Sequence, residues 1–390
     1  MFNSITIKYD KQSHTTGNIV ECLLFYDSVC LIIDDRTDLP TLWTKIGIEG
    51  LERLRDYGLH LYVATNMPGC GKVNGKSEDV YLLSALSYSM RQRVCDISVK
   101  EFYGVEKLDA DQQKIANHYY DILKEFTIPE RVRDAVHDDI YTYFVHKEIL
   151  QSQLREINSP ISMFDPRNKY EFRRLDQGFI FDTNILTGEL EEQAHALGYH
   201  DMCFRHASLL NKMTSLYGVM DLAAQIDSSL SVTPAESLII SCKQKSIISR
   251  YTHEAQQIAD FEKYEVSEFV DIAKAIDDGG KTIDEIIELL ESAQEFKQWK
   301  SSLPSESDFL LEYKKALQAN LPWVQRLSGK IVRFIISSGI GAIPFVGTVA
   351  GPIASGFDAF VVDKWQRGLW KPAQFVNGSL KKFTEIKESV

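Results

Sequence analysis

Closely spaced cysteines are missing from this 390-residue chain. Its six, Cys22, Cys30, Cys70, Cys95, Cys203 and Cys242, form no CxxC pair. Metal sites and disulfide frameworks both reuse short cysteine spacings, so the pattern predicts reduced thiols and a cytoplasmic protein. Excess positive charge is missing too. The formal net charge of −12 disfavours general binding to nucleic acid, which depends on Lys and Arg neutralising phosphates. The opening residues, MFNSITIKYDKQ, carry charge where a secretion signal needs an apolar core, and no such signal is expected.

One stretch lacks charge of either sign. Phe334 to Phe357, FIISSGIGAIPFVGTVAGPIASGF, is 24 residues long with five glycines and two prolines, between Arg333 and Asp358. It is long enough to cross a bilayer as a helix. Pro344 and Pro352 would interrupt a helix in water, which favours two short helices packed as a buried hairpin. Gly347 and Gly351 form a GxxxG spacing that lets two backbones approach. Trp365 and Trp370, among Lys364, Arg367 and Lys371, resemble an interfacial anchor. From Lys314 to Val390 there are eleven Lys and Arg against four Asp and Glu, a basic end on an acidic chain. Such asymmetry suits an anionic partner surface, or an acidic face of the same chain.

With 44% apolar and 25% charged residues, the composition is that of a globular protein of two or three domains. The expected fold is mostly α, with a small N-terminal α/β unit, a multi-helix domain and a Gly-rich apolar C-terminal hairpin. The expected boundaries are 1–75 for the α/β unit, 76–160 for a helical region, 161–320 for a helical domain and 321–390 for the apolar segment with basic flanks. In the first unit, Ile5 and Ile7 alternate with polar neighbours, and Cys22 to Tyr26, Val29 to Ile33 and Leu59 to Ala64 read as strands around a helix at Gly50 to Tyr57. From Ser77 to Ser159 the apolar steps, including Val80, Leu83, Ala85, Ile115, Tyr119 and Phe126, read as helical, and Pro129 opens a further helix. His137, Asp138, Asp139, His146, Lys147 and Glu148 are expected on a solvated helical face. His195, His200, His206 and His253 are expected at surfaces or caps. Thr282 and Glu285 have capping-box spacing ahead of an amphipathic helix.

Two stretches resemble catalytic motifs. CLIIDD, ending in Asp34 and Asp35, resembles a Walker B strand; Asn66 stands where related ATPases place a sensor; PGCGKV resembles part of a Walker A loop. A phosphate cradle also needs a hydroxyl after its lysine, and Val73 follows Lys72. In the second register, Lys76 is followed by Ser77, but Cys70 stands where the first glycine belongs. GFIFDTNILTG resembles the first strand of PIN-type nucleases. The resemblance implies a divalent metal at Asp182, oriented by Asn184, with Glu236 as a further acid. The remainder reads as helix, without the strands that carry that fold's other acids, and Asp182 capping the next turn is the competing reading.

No cofactor and no resident metal are expected. The weight falls on the apolar run, with Phe334, Gly347, Gly351, Trp365 and Trp370 as its markers. It points to an interaction or membrane-engaging effector of the kind used in bacterial toxin and defence systems. A protein partner or self-association is expected, with a membrane as the other candidate surface. The alternative is a metal-dependent, PIN-like nuclease centred on Asp182; the residues leave open whether the chain catalyses anything.

Overall fold

The computed structural model describes residues 4–9, 14–33, 36–74, 79–87, 90–142, 145–175, 178–251, 262–266, 276–279, 281–303, 334–335, 356–358, 360 and 373–376. The described chain is mainly helical, with a parallel sheet seeded at the N-terminus. In order, the elements are β1 (Ser4–Lys8), α1 (Thr16–Phe25), β2 (Ser28–Ile32), α2 (Asp38–Ile46), α3 (Ile48–Asp56), β3 (Leu59–Ala64), β4 (Asn66–Asn74), β5 (Asp79–Ser87), α4 (Met90–Tyr103), α5 (Ala110–Ile122) and β6 (Lys124–Phe126). They continue as α6 (Glu130–Thr142), α7 (Val145–Glu156), β7 (Tyr170–Leu175), β8 (Gly178–Thr183), α8 (Thr187–Ala196), α9 (His206–Gln225), β9 (Ser229–Val232), α10 (Pro234–Tyr251), β10 (Glu262–Val266), α11 (Ile283–Ser302), β11 (Phe334–Ile335) and β12 (Ala373–Val376).

Eight strands form one sheet in the order β11-β10-β12-β9-β1-β2-β3-β6, parallel throughout except that β11 runs antiparallel to β10. The sheet therefore takes strands from both ends of the sequence. Its central strand explains itself: Ile5, Thr6 and Ile7 are all fully buried, as expected for a parallel strand covered on both faces. Successive side chains point to opposite faces, and the apolar ones divide accordingly. Ile5, Ile7, Val29, Leu31, Leu59, Leu61 and Val63 join one core with α1 to α5 and α11. Ile32, Ala64, Leu230 and Val232 join the other, with α6 to α10. That second core also receives a separate antiparallel sheet, β4-β5-β8-β7.

Several local expectations change in three dimensions. Cys22 to Tyr26 is the end of helix α1, not a strand; Thr15 and Asn18 form a reciprocal capping box that starts the helix, and Leu23 and Leu24 face the core. Short apolar runs of this length suit either element, and the cap upstream decides. Asp79–Ser87, read as helical, is strand β5, because β4 pairs with it along its whole length. The capping box of Thr282 and Glu285 is present, with both reciprocal backbone bonds, and α11 follows it. At Gly58, φ is +100° and an added Cβ would sit 2.2 Å from the Asp27 carbonyl oxygen. Only glycine allows that close return of the chain into β3.

Candidate functional site at the end of the apolar run

Most of the charge-free run lies outside the described residues, as do Gly347, Gly351, Trp365 and Trp370. Its two ends are described, and both are held by the folded body. Phe334 lies opposite Val266 and Ile335 opposite Glu265, which makes β11 the outermost strand of the large sheet. At the other end Phe357 is fully buried, and its ring stacks on Tyr217 of α9 with centroids 5.5 Å apart and planes 3° from parallel. After the run the chain returns as β12, between β10 and β9.

The residue that closes the run enters a buried ionic cluster. Lys243, on α10, has Nζ 2.5 Å from Asp358 Oδ1 and 2.8 Å from Asp139 Oδ2 of α6, and all three side chains are fully buried. Both contacts to Lys243 are ion pairs by distance without hydrogen-bond alignment at the ammonium. The Tyr217 hydroxyl donates to Asp139 Oδ2 at 2.8 Å. Nζ also lies over two rings, 5.0 Å from the centroid of Tyr217 and 5.3 Å from that of Phe357. Burial, followed by the carboxylate of Asp139, holds the Tyr217 phenol well above its ordinary value, so it remains a donor.

A second clamp lies beside the first. Arg131 of α6 donates through Nε and Nη2 to the two oxygens of Asp221 at 2.9 and 3.1 Å, a bidentate pair. Burial pushes the Asp221 carboxyl up, against the lowering effect of Arg131. The Arg131 guanidinium lies 4.2 Å from the centroid of Phe360. Three helices, α6, α9 and α10, thus grip Phe357, Asp358 and Phe360 through ion pairs and ring contacts.

Within the stretch expected as a solvated face, Glu148 is exposed, but Asp139 and His146 depart from the expectation. Asp139 and His146 are fully buried. His206, expected at a surface or cap, opens α9 but is buried, stacked on Phe181 at 4.0 Å between centroids. The Tyr170 hydroxyl lies 2.6 Å from Nδ1 of His146 and 3.4 Å from Nδ1 of His206. Sequence reasoning missed Lys243, and a signal was there: it falls three and four residues after Ile240 and Ile239, on the apolar stripe of α10. Asp139 similarly follows Ala135 and Val136 on the buried stripe of α6.

The motif residues are dispersed. Lys72 is an exposed residue of β4, paired in register with Tyr81, rather than part of a loop opening a helix. Lys76, Ser77, Asp34 and Asp35 lie outside the described residues. Asn66 is occupied with structure: Nδ2 donates to the Ile128 carbonyl and Oδ1 accepts from the Ile128 amide, both at 2.7 Å. Asp182 pairs with Lys169 on the exposed side of the β7–β8 hairpin, and it does not cap α8. The Asn184 side chain donates to the Arg167 carbonyl at 3.2 Å. Glu236 sits in the first turn of α10, accepting from the Thr233 amide at 2.9 Å, with Lys212 Nζ 3.3 Å away. Among the described residues, no group of three or more His, Cys, Asp or Glu is placed to hold a metal.

The fold defines the class: an α/β protein with a mostly parallel sheet covered by helices on both faces. Beyond that class, comparison adds nothing, since no protein-family model, curated protein or solved structure matches this chain.

Proposed function

We propose that this chain is an interaction effector whose working element is the charge-free run from Phe334 to Phe357, tethered at both ends to an α/β body. The observation that carries the reading is the Asp139–Lys243–Asp358 cluster. Burying three charges is costly, and such clusters contribute little net stability compared with apolar packing. Their best-attested use is to specify one arrangement or to hold a switch. Here the cluster sits one residue beyond the run and fixes where it ends. The partner surface is a second protein, a second copy or a bilayer. Among the described residues, no helix is long and apolar enough to cross a membrane.

The nuclease alternative finds Glu171 opposite Asp182 in the β7–β8 pair, but no group of three possible metal ligands forms among the described residues. Flotation with anionic phosphatidylglycerol vesicles, alongside light scattering for mass, tests the effector reading on full-length protein. Asp358→Asn, which weakens the tether, is expected to raise the vesicle-bound or self-associated fraction over wild type, and Gly351→Asp to abolish the gain. If wild type and Asp358→Asn, both folded by circular dichroism, neither float nor change mass, the bilayer and self-association forms of the reading fail.

A further inference from the structure

Two histidines that the sequence keeps apart, His195 and His200, come together where α8 ends. The helix stops in a Schellman turn: the Gly198 amide donates to the His195 carbonyl and the Tyr199 amide to the Ala194 carbonyl, both at 2.9 Å. Gly198 takes φ +88°, the left-handed conformation that this turn needs and that glycine adopts without penalty. The chain is thereby folded back on the last turn of α8. Had the helix continued, the two side chains would have pointed to different faces, since only residues three and four apart are neighbours on a helix. Instead the imidazole rings lie side by side, with centroids 5.7 Å apart and planes 50° from parallel.

Both rings are exposed, and among the described residues neither makes a hydrogen bond or an ion pair. They stand at the carboxyl end of α8, where the carbonyls of the last turn favour positive charge. Glu191 and Glu192 lie one turn back on the face of α8 that carries His195. Arg205 contacts them at 2.7 and 3.6 Å, so the cation on that face is already neutralised. Two imidazoles bound to one tetrahedral ion through nitrogens ~2.0–2.1 Å from it have ring centres about 5 Å apart. The observed separation is close to that, and exposed rings reach it by small rotations of their side-chain torsions.

We propose that His195 and His200 form a surface site for a borderline divalent transition-metal ion such as Zn²⁺, with its remaining coordination positions open to water or an outside ligand. Imidazole nitrogen suits such ions, whereas Mg²⁺ and Ca²⁺ favour oxygen ligands. Among the described residues, no third His, Cys, Asp or Glu completes a closed ligand set around the pair. Open positions distinguish the site from a structural zinc centre, which takes four protein ligands. The Schellman turn pre-organises the two imidazoles, which lowers the ordering cost of binding the ion with both. Nothing in this depends on what the apolar run does.

Calorimetric titration of the full-length protein with zinc chloride tests the site, with magnesium chloride as a separate arm. Saturable zinc binding is expected, and no saturable binding of magnesium. His195→Gln and His200→Gln each leave one imidazole, and each should lower zinc affinity at least about tenfold. Both rings are exposed, so the variants are expected to keep the wild-type fold, which circular dichroism checks. Folded wild type that takes up no zinc overturns the proposal. So does zinc affinity unchanged in either variant, the result that binding at a half-buried thiol such as Cys203 would give, or magnesium bound as tightly as zinc.

Discussion

The ring of Phe357 lies parallel to that of Tyr217, 5.5 Å away, at the point where the charge-free run enters the core. Both rings are fully buried and both border the Lys243 ammonium. Removing the Phe357 ring leaves a cavity beside a buried charge. Phe357→Ala is expected to cost about 3–5 kcal/mol, with Phe357→Leu costing less, because cavity size sets the penalty. Urea unfolding of the two variants measures the difference; equal stability to wild type would show that the stack contributes nothing.

Lys243 neutralises two carboxylates that have no route to water. Lys243→Met should destabilise by about 3–5 kcal/mol, since it leaves Asp139 and Asp358 buried without their cation. The triple variant Lys243→Met, Asp139→Asn, Asp358→Asn should recover much of that loss, because the uncompensated charge is gone. A mutant cycle read by chemical denaturation decides it. A triple variant no more stable than the single one would mean that the charges themselves are not the source of the penalty.

His146 and His206 make stability depend on acid. Burial lowers both imidazoles, His206 to about 4 from an ordinary value of 6.5, and His146 is depressed further by the neighbouring charge of His206. The groups packed around them are Tyr170, Tyr81 and Phe181, none of which supplies an anion to a protonated ring. The unfolded chain therefore binds protons that the folded one refuses. The stabilisation is complete above pH 6.5 and is lost as pH falls from 6.5 towards 4. Each such histidine contributes up to about 1.4 kcal/mol per pH unit in that window. His206→Phe, which keeps an aromatic ring on Phe181, should flatten the pH dependence of urea stability between pH 7 and pH 5 by roughly that amount. An unchanged slope would show that His206 is not what titrates.

Asn211 of α9 ties the outer edge of β4 to the helical layer. Its side chain accepts from the Cys70 amide and donates to the Cys70 carbonyl, doing for that edge what another strand would do. Asn211→Ala leaves both backbone groups without that partner and should cost about 1–3 kcal/mol. Hydrogen exchange should localise the effect: faster exchange at Cys70 and its neighbours, with β1 to β3 unaffected.

Much of the sheet was legible in the chain. Ile5 and Ile7, Val29 to Ile32 and Leu59 to Ala64 are strands because their alternating or continuous apolar runs fit a layer covered on both faces. The strand from Gly178 and the cap at Thr282 and Glu285 were equally readable, since each depends on residues close in sequence. The ionic cluster was not. Asp139, Lys243 and Asp358 each look like an ordinary surface charge until the apolar stripe on either side is noticed, and a stripe does not say which distant charge will meet it.

By itself, then, the sequence determined periodicity, caps and the one neutral run near the end, because each follows from residues a few positions apart. Tertiary structure alone decided that β9 lies beside β1, that Asp79–Ser87 pairs as a strand with β4, and that Lys243 is enclosed with two acids. Those outcomes depend on which surfaces remain to be covered once the chain has folded back on itself. Burial then converts the same lysine from a solvated charge into one that needs a partner, and no local pattern encodes that cost.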